Sequence, residues 1–474
     1  MDAARPLDMF LSSGTAVAAT ELATFASGIR GDVILPGDER YEDARLVHNR
    51  VYDRRPAVIV RAADAEDVAH AVGFARGMDL QIAVRSGGHS LAGFGTGDDV
   101  LVIDLSSMKG LHIDPERRVA WAQPGLTAGE YTTAAAAHGL ATPFGDAASV
   151  GLGGLVTGGG IGWLTRKHGL TIDSLLAAEV VTADGRRVIA SPAENPDLFW
   201  AIRGGGGNVG IVTRFQFRLH PVDVVIGGAL FLPPTPEVVR GVIDAAKAAP
   251  DELTTINMIM RVPPLPMIPA EHHGKVSVLV LPVFAGDLMA GQAAMAPFRA
   301  LAEPIADLVG PMPYVGMYAL SDGATAPHAG VTRSMFADDL DDASIAAILE
   351  FVETSPTPLA IGQIRILGGE MARIGNDATA FAHRDRSVMF AAIVPFEDPS
   401  RVEEMTAWTD QFFAAVRHDA RGVYANFLAE DGEARIHEAY PAETYRRLAE
   451  IKRRYDPANV FHLNQNIRPA RIGA

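Results

Sequence analysis

Residues 82–90 read Ile82-Ala83-Val84-Arg85-Ser86-Gly87-Gly88-His89-Ser90. The apolar run to Val84 predicts a strand over Gln81 to Val84 that stops at a Gly-Gly turn. Glycines there permit positive φ and let a ligand approach the backbone closely. Successive N–H groups in such a turn form a nest for phosphate oxygens. Arg85 adds a planar donor fork suited to anions, and His89 closes the loop. An isolated histidine is more often structural than functional. The setting, strand then Arg-Ser-Gly-Gly-His-Ser, points this one at a ligand. Upstream, Val58-Ile59-Val60 reads as a strand. Asp64 reads as a helix N-cap, and Val68, Val72 and Ala75 form an apolar helical stripe. The resulting β-α-β unit delivers the His89 loop at a strand's C-terminal end, where α/β sheets hold ligands.

The chain has 474 residues, too long for one core, so two or three domains are expected. Apolar residues make up 48%, as in globular proteins. A formal net charge of −16 argues against nucleic acid or an anionic membrane as partner. There is no cysteine, which excludes disulfides, thiolate catalysis and Cys-zinc sites. Residues 1–25 are interrupted by polar residues and do not read as a signal peptide. No stretch is apolar enough to span a membrane, so a cytoplasmic protein is the expectation.

A second informative stretch runs from Ala147 to Gly169, with Gly151, Gly153, Gly154, Gly158, Gly159, Gly160 and Gly162. Glycine is too dense there for an ordinary helix or strand. A flexible linker would not interleave Val150, Leu152, Leu155, Val156, Ile161, Trp163 and Leu164. The pattern reads as backbone packed against something flat or against another backbone. Gly205-Gly206-Gly207-Asn208-Val209-Gly210 fits the dinucleotide spacing. The strand-like run Ile211 to Phe217, with Val212, follows where that motif requires a helix. Ser106-Ser107-Met108-Lys109 matches S-x-x-K, but without the partner motifs of a serine acylase.

Other elements follow by ordinary rules. Val100–Asp104 and Val119–Ala122 read as strands, and Thr127 to His138 as a helix closed by Gly139. Glu179 to Ile189 is a hairpin around Ala183-Asp184-Gly185. Beyond Val222 the pattern changes. Val225–Leu232 is apolar, and Thr235-Pro236 starts a helix to Ala248. Met289–Ala302 and Ser344–Glu353 read as helices; Val276–Phe284, Ala360–Ile366 and Val388–Val394 read as strands. This mixture predicts an antiparallel sheet covered by helices. Glu271-His272-His273 and Phe381-Ala382-His383-Arg384 read as non-catalytic. Val423-Tyr424-Ala425-Asn426-Phe427 alternates as a strand with Tyr424 and Asn426 on one face. Pro441–Tyr455 is a basic amphipathic helix, followed by Tyr455-Asp456-Pro457-Ala458-Asn459-Val460-Phe461-His462-Leu463-Asn464-Gln465-Asn466-Ile467.

Several of these motifs together resemble the FAD-linked oxidases related to the berberine bridge enzyme, within the vanillyl-alcohol-oxidase fold. They are Arg85 to Ser90, Val150-Gly-x-Gly-Gly with Gly158-Gly-Gly-x-Gly, Asn195 to Gly204, and the two C-terminal segments. The resemblance implies an α+β fold. A two-part FAD-binding domain of α/β subdomains would join a substrate domain with an antiparallel sheet covered by helices. The expected division is 1–51, an N-terminal part of the FAD domain; 52–221, the FAD-binding domain; 222–418, the substrate domain; and 419–474, a segment returning to the FAD domain. It implies FAD bonded to His89, with Arg85, Ser86, Gly87, Gly88, Ser90, Val150, the glycines from Gly151 to Gly162, Gly210, Val212, Asn464 and Gln465 holding the cofactor. Many members carry a cysteine at the position of Ala147 that makes a second bond; here only the His89 bond is open. Val150 falls at the family's oxygen-gating position, and Leu155 and Ile161 depart from a His and a Tyr seen in some members.

Oxidation at a flavin needs an oriented hydride and a base for the departing proton. Tyr424 is the candidate base or its hydrogen-bonding partner, and as a base it would need a lowered pKa. Asn426 is placed to bind flavin or substrate, and Glu370 is a second candidate base. The reading is an oxidase that moves a hydride from an alcohol, amine or sugar-type small molecule to FAD and then to O₂. The alternatives are a dehydrogenase using another acceptor and a non-catalytic flavin- or ligand-binding protein.

Overall fold

The computed structural model describes residues 9–10, 16–17, 19–320 and 326–471. Most of the N-terminal stretch that reads as no signal peptide lies outside the described residues. Three principal sheets organise the described chain into an α+β fold.

The first sheet has four strands, in the order Asp32–Ile34, Val58–Arg61, Leu101–Asp104 and Ile82–Arg85. The last three are parallel. Leu101–Asp104, fully buried, sits between the two strands of the β-α-β unit. The intervening helix Ala65–Gly77 starts where the sequence places it, with the Asp64 carboxylate accepting from the Glu66 and Asp67 N–H groups. Its Val68, Val72 and Ala75 are wholly buried. The second sheet is antiparallel with five strands, Arg187–Ala190, Leu175–Val181, Ile211–Arg218, Val119–Ala122 and Leu111–Asp114. Gly185, at φ +80°, makes its hairpin turn.

The third sheet has nine antiparallel strands, centred on Leu253–Arg261, Val276–Phe284, Ile361–Ile366 and Val388–Phe396. Alternation sends Val276, Val278, Val280, Ile364, Ile366 and Phe390 to one face. Helices Pro236–Ala248, Leu288–Arg299, Asp342–Glu353 and Val402–Val416 cover that face. The opposite face, including Phe231, Ile256, Leu279 and Leu281, packs on Trp163 and Leu164 of the glycine-rich segment. The sheet therefore roofs that segment. The C-terminal helix Ala442–Tyr455 returns to the five-stranded part, where Leu448, Ile451 and Tyr455 share a core with Trp200 and Phe215.

Three expectations are corrected. The glycine-dense stretch contains a two-turn helix, Leu152–Gly158. Tertiary packing outweighs poor propensity there, since small residues let the helix approach Ser86 and Pro124. The run Val225–Leu232 breaks into Val224–Gly227 and Leu230–Leu232. Gly228 turns the chain at φ +129°, with the Leu308 carbonyl against it. Finally, Val423–Phe427 is not a strand: Tyr424 is extended and Ala425–Phe427 is a 3₁₀ turn. Only Arg421 and Gly422 exchange ladder-type bonds with Phe336, after which the chain turns away from the sheet.

Candidate functional site

The strand Ile82–Arg85 ends at the loop that the sequence singles out. Its Gly87 meets Gly151 of the glycine-rich segment backbone to backbone. A Cβ on either residue would stand under 3.0 Å from the other's nitrogen. Ser86 ties the same junction, donating to the Pro124 carbonyl at 2.5 Å and accepting from Gly153 N–H at 3.3 Å. Ser90 accepts from Phe94 N–H. Arg85 departs from its expected role as a free anion fork. Its buried guanidinium donates to Asp104 at 2.8 Å and to the Ala44 and Leu46 carbonyls. A charge so deeply buried requires such partners. Burial opposes ionisation of Asp104, but Arg85 and the Ser106 N–H outweigh it and hold the carboxyl below its usual range.

His89 stacks on His48, ring centroids 3.9 Å apart. Burial, with His328 nearby, pushes His89 down to about 4, so its imidazole is neutral at neutral pH. A hydrogen bond to the backbone of Ser149 links it to the glycine-rich segment.

Beyond the short helix, Gly159 and Gly160 take φ +135° and +80° and turn the chain under the C-terminal segment. Gly160 N–H donates to the Tyr424 hydroxyl at 2.8 Å. Asn426 Nδ2 donates to the same oxygen at 3.0 Å and to the Gly154 carbonyl at 3.1 Å. Gly158 is packed against the Asn426 amide, and Gly162 against the Phe144 carbonyl. Tyr424 and Asn426 are thus brought together by a turn rather than by strand alternation. Burial pushes the Tyr424 phenol up to about 12, against the pull of Gly160 N–H, Asn426 and Arg365. That is opposite to the lowering a base would need.

Glu370 stands in a different setting. It opens the short helix Glu370–Arg373 and accepts from Arg373, which also pairs with Asp251 in a partly exposed ion network. Gly210 packs on Val180 and Val181, and Val212 pairs with Val180 in the five-stranded sheet. Gln465 donates to the Leu428 and Ala429 carbonyls. Asn464 donates to the Gly207 and Phe461 carbonyls.

Two groups were missed in the sequence. Arg365 forms a two-pronged pair with Asp146 at 3.0 Å and donates to Gln363 at 2.8 Å. These side chains lie on the roof face above the glycine-rich segment, with Arg365 over the Phe427 ring. The available signal was polar residues at period two, Gln363 and Arg365, within an apolar strand. His48 and His328 carried no signal, being isolated histidines that only folding joins to His89.

The residues fit a flat nucleotide cofactor. Ser149 Oγ and Asn464 Oδ1 are buried without a hydrogen-bond partner. Gly154, an exposed helical glycine, has nothing within 4 Å of where a Cβ would stand, so the protein itself does not require glycine there. Open space beside glycine backbone, and buried polar atoms left without partners, are each what a bound group would satisfy.

Comparison with known proteins agrees. Residues 56–191 match the FAD binding domain model, and residues 423–468 match the berberine and berberine-like model. FAD-linked oxidoreductase YgaK of Bacillus subtilis is 30% identical over 94% of this chain and 98% of its own length. (R)-6-hydroxynicotine oxidase of Paenarthrobacter nicotinovorans is 30% identical over 95% and 99%. A solved glucooligosaccharide oxidase from Acremonium strictum, with 6-S-cysteinyl, 8α-N1-histidyl FAD, superposes with a TM-score of 0.84. It is 25% identical and is covered over 95% of this chain and 100% of its own. The fold and site define an FAD-dependent oxidoreductase. The chain belongs to the berberine bridge enzyme-like family of FAD-linked oxidoreductases. Among the described residues no helix is long and apolar enough to cross a membrane.

Proposed function

We propose that this enzyme is an oxidase. It takes a hydride and a proton from a small alcohol, amine or sugar-type substrate and passes the two electrons and two protons to O₂, giving H₂O₂. Its FAD is bonded through His89 alone, because the chain has no cysteine for a second bond. FAD, when bound, supplies the two-electron acceptor. Ser149, Asn464 and the backbone around Gly151, Gly153 and Gly154 would hold it, and Val150 would leave room for oxygen.

The observation that carries this reading is the Tyr424 hydroxyl, seated on Gly160 N–H and Asn426 beneath the ion pair of buried Arg365 with half-buried Asp146. A hydroxyl oxygen has two lone pairs. Both are engaged here, so the group left to act is the O–H itself. With its proton held firmly by burial, Tyr424 donates a hydrogen bond to substrate rather than removing a proton. It orients the reacting carbon, and the roof formed by Gln363, Arg365 and Met389 keeps bulk water out.

The test is anaerobic mixing with panels of sugars, amines and phenolic or other alcohols, followed by admission of air. Bleaching of the flavin and rapid recovery with peroxide establishes an oxidase and names the substrate class. Bleaching without recovery assigns a dehydrogenase. No bleaching with any panel refutes the proposed chemistry.

A further inference from the structure

His48 lies in an irregular segment that no motif marks, yet it touches the attachment loop and the roof sheet at once. Its ring is stacked on His89 with an interplanar angle of 23°. The His328 ring meets its edge at 5.2 Å and 82°. The backbone N–H of His48 donates to the Gly88 carbonyl at 3.0 Å, fixing it to the loop. Next to it, Asn49 exchanges hydrogen bonds with Gly330, Nδ2 to the carbonyl at 2.9 Å and the N–H to Oδ1 at 3.2 Å. Arg50 N–H donates to the His328 carbonyl at 2.9 Å. Residues 48–50 are therefore stitched to the start of strand Ala329–Ala337 on one side and to the His89 loop on the other.

We propose that His48 is a positioning residue for covalent attachment of the flavin: its ring, stacked on His89, fixes the plane of the imidazole that forms the bond. The inference rests on the reading that His89 carries the bond. In attachment, one ring nitrogen of His89 joins a ring-methyl carbon of FAD; one C–H and one N–H bond break. The two electrons and two protons released reduce that same flavin, and O₂ reoxidises it, leaving as H₂O₂. The step needs a neutral imidazole with a free lone pair, because a protonated ring has none. Burial chiefly supplies this, helped by His89 and His328 at His48 and by His328 at His89, pushing His48 down to about 3 and His89 to about 4. The bond from His89 to the Ser149 backbone occupies one nitrogen, leaving the other to react. The stack then removes the remaining freedom, rotation of the ring about its Cβ–Cγ bond. His48, neutral and half-buried, contributes a flat face rather than a charge or a base.

The experiment follows acid-stable flavin, retained by the denatured chain, against flavin released by acid. Each purified variant is measured as isolated and over time after addition of FAD, with non-covalent loading and thermal melting as controls of folding. The wild type holds its flavin through acid, and His89→Ala loads FAD but releases all of it. His48→Ala slows attachment by about 10- to 100-fold, the scale on which a small misplacement of a reacting group acts. His48→Phe, which keeps a flat face, restores it, and His48→Leu, which keeps volume only, does not. If His48→Ala fails to fold, the contrast between Phe and Leu carries the test. Attachment in His48→Ala at the wild-type rate overturns the proposal, as does a His48→Phe as slow as His48→Leu. Acid-released flavin in the wild type, or acid-stable flavin in His89→Ala, instead overturns the His89 assignment beneath it.

Discussion

Gly154 offers a test in which stability and cofactor binding should move in opposite directions. It sits in the helix Leu152–Gly158, exposed, with nothing within 4 Å of a Cβ built on it. In the cofactor-free protein, Gly154→Ala should therefore stabilise by about 0.5–1 kcal/mol, the ordinary helix preference for alanine. Unfolding entropy near ~2.1 cal/mol/K per residue, over 474 residues, amounts to about 1 kcal/mol/K. The melt should rise by only about 0.5–1 °C. If the open space is where FAD lies, the added methyl overpacks it at about 1–3 kcal/mol, weakening FAD binding about 5- to 150-fold. The measurement is FAD titration and melting in a His89→Ala background, where attachment cannot mask weak binding. Gly73, an exposed glycine in helix Ala65–Gly77 also with nothing within 4 Å, is the matched control. Gly73→Ala should bring the same small gain and leave FAD affinity unchanged. Unchanged affinity in Gly154→Ala would refute the reasoning that a ligand, not the fold, requires glycine at 154.

Tyr424→Phe leaves the Gly160 N–H without its acceptor. It should lower stability by about 1–3 kcal/mol and, by loosening the substrate's orientation, slow anaerobic flavin reduction by about 100-fold, read by stopped-flow absorbance with any substrate that bleaches the wild type. Asp173→Asn removes the charge opposite Arg384, whose side chain is 1% exposed. The uncompensated guanidinium should cost about 3–5 kcal/mol, seen as a lower denaturant midpoint. Acid should weaken the fold in a defined window. Burial pushes His48 and His168 to about 3 and His89 and His220 to about 4, against 6.5 when unfolded. Below pH ~6.5 the unfolded chain takes up protons that the folded chain refuses, so stability falls as the pH drops from about 6.5 towards 4. Denaturant midpoints across that range check it, and His48→Phe should flatten the fall.

The sequence by itself determined the elements whose signals are local. Asp64 and Thr235 mark their helix starts, Gly185 its turn, and apolar runs the strands of the roof sheet, because capping, turn geometry and burial act over a few residues. The Gly-Gly-His loop and the glycine-rich segment were legible as a pair of close-approach sites, because glycine among large apolar residues has few other uses. What the tertiary structure decided is where long-range contacts outweigh local preference. The helix Leu152–Gly158 exists because it docks on Ser86 and Pro124, not because its residues favour helix. Tyr424 and Asn426 converge on one hydrogen-bonded cluster through a 3₁₀ turn, because the chain leaves the edge strand after Gly422. Arg85 is drawn inward to Asp104 because a buried charge needs a partner. Asp146, Arg365, His48 and His328 enter the site across separations of 219 residues for the first pair, a distance over which no periodicity or motif can speak. Only the closing of the chain brings them together.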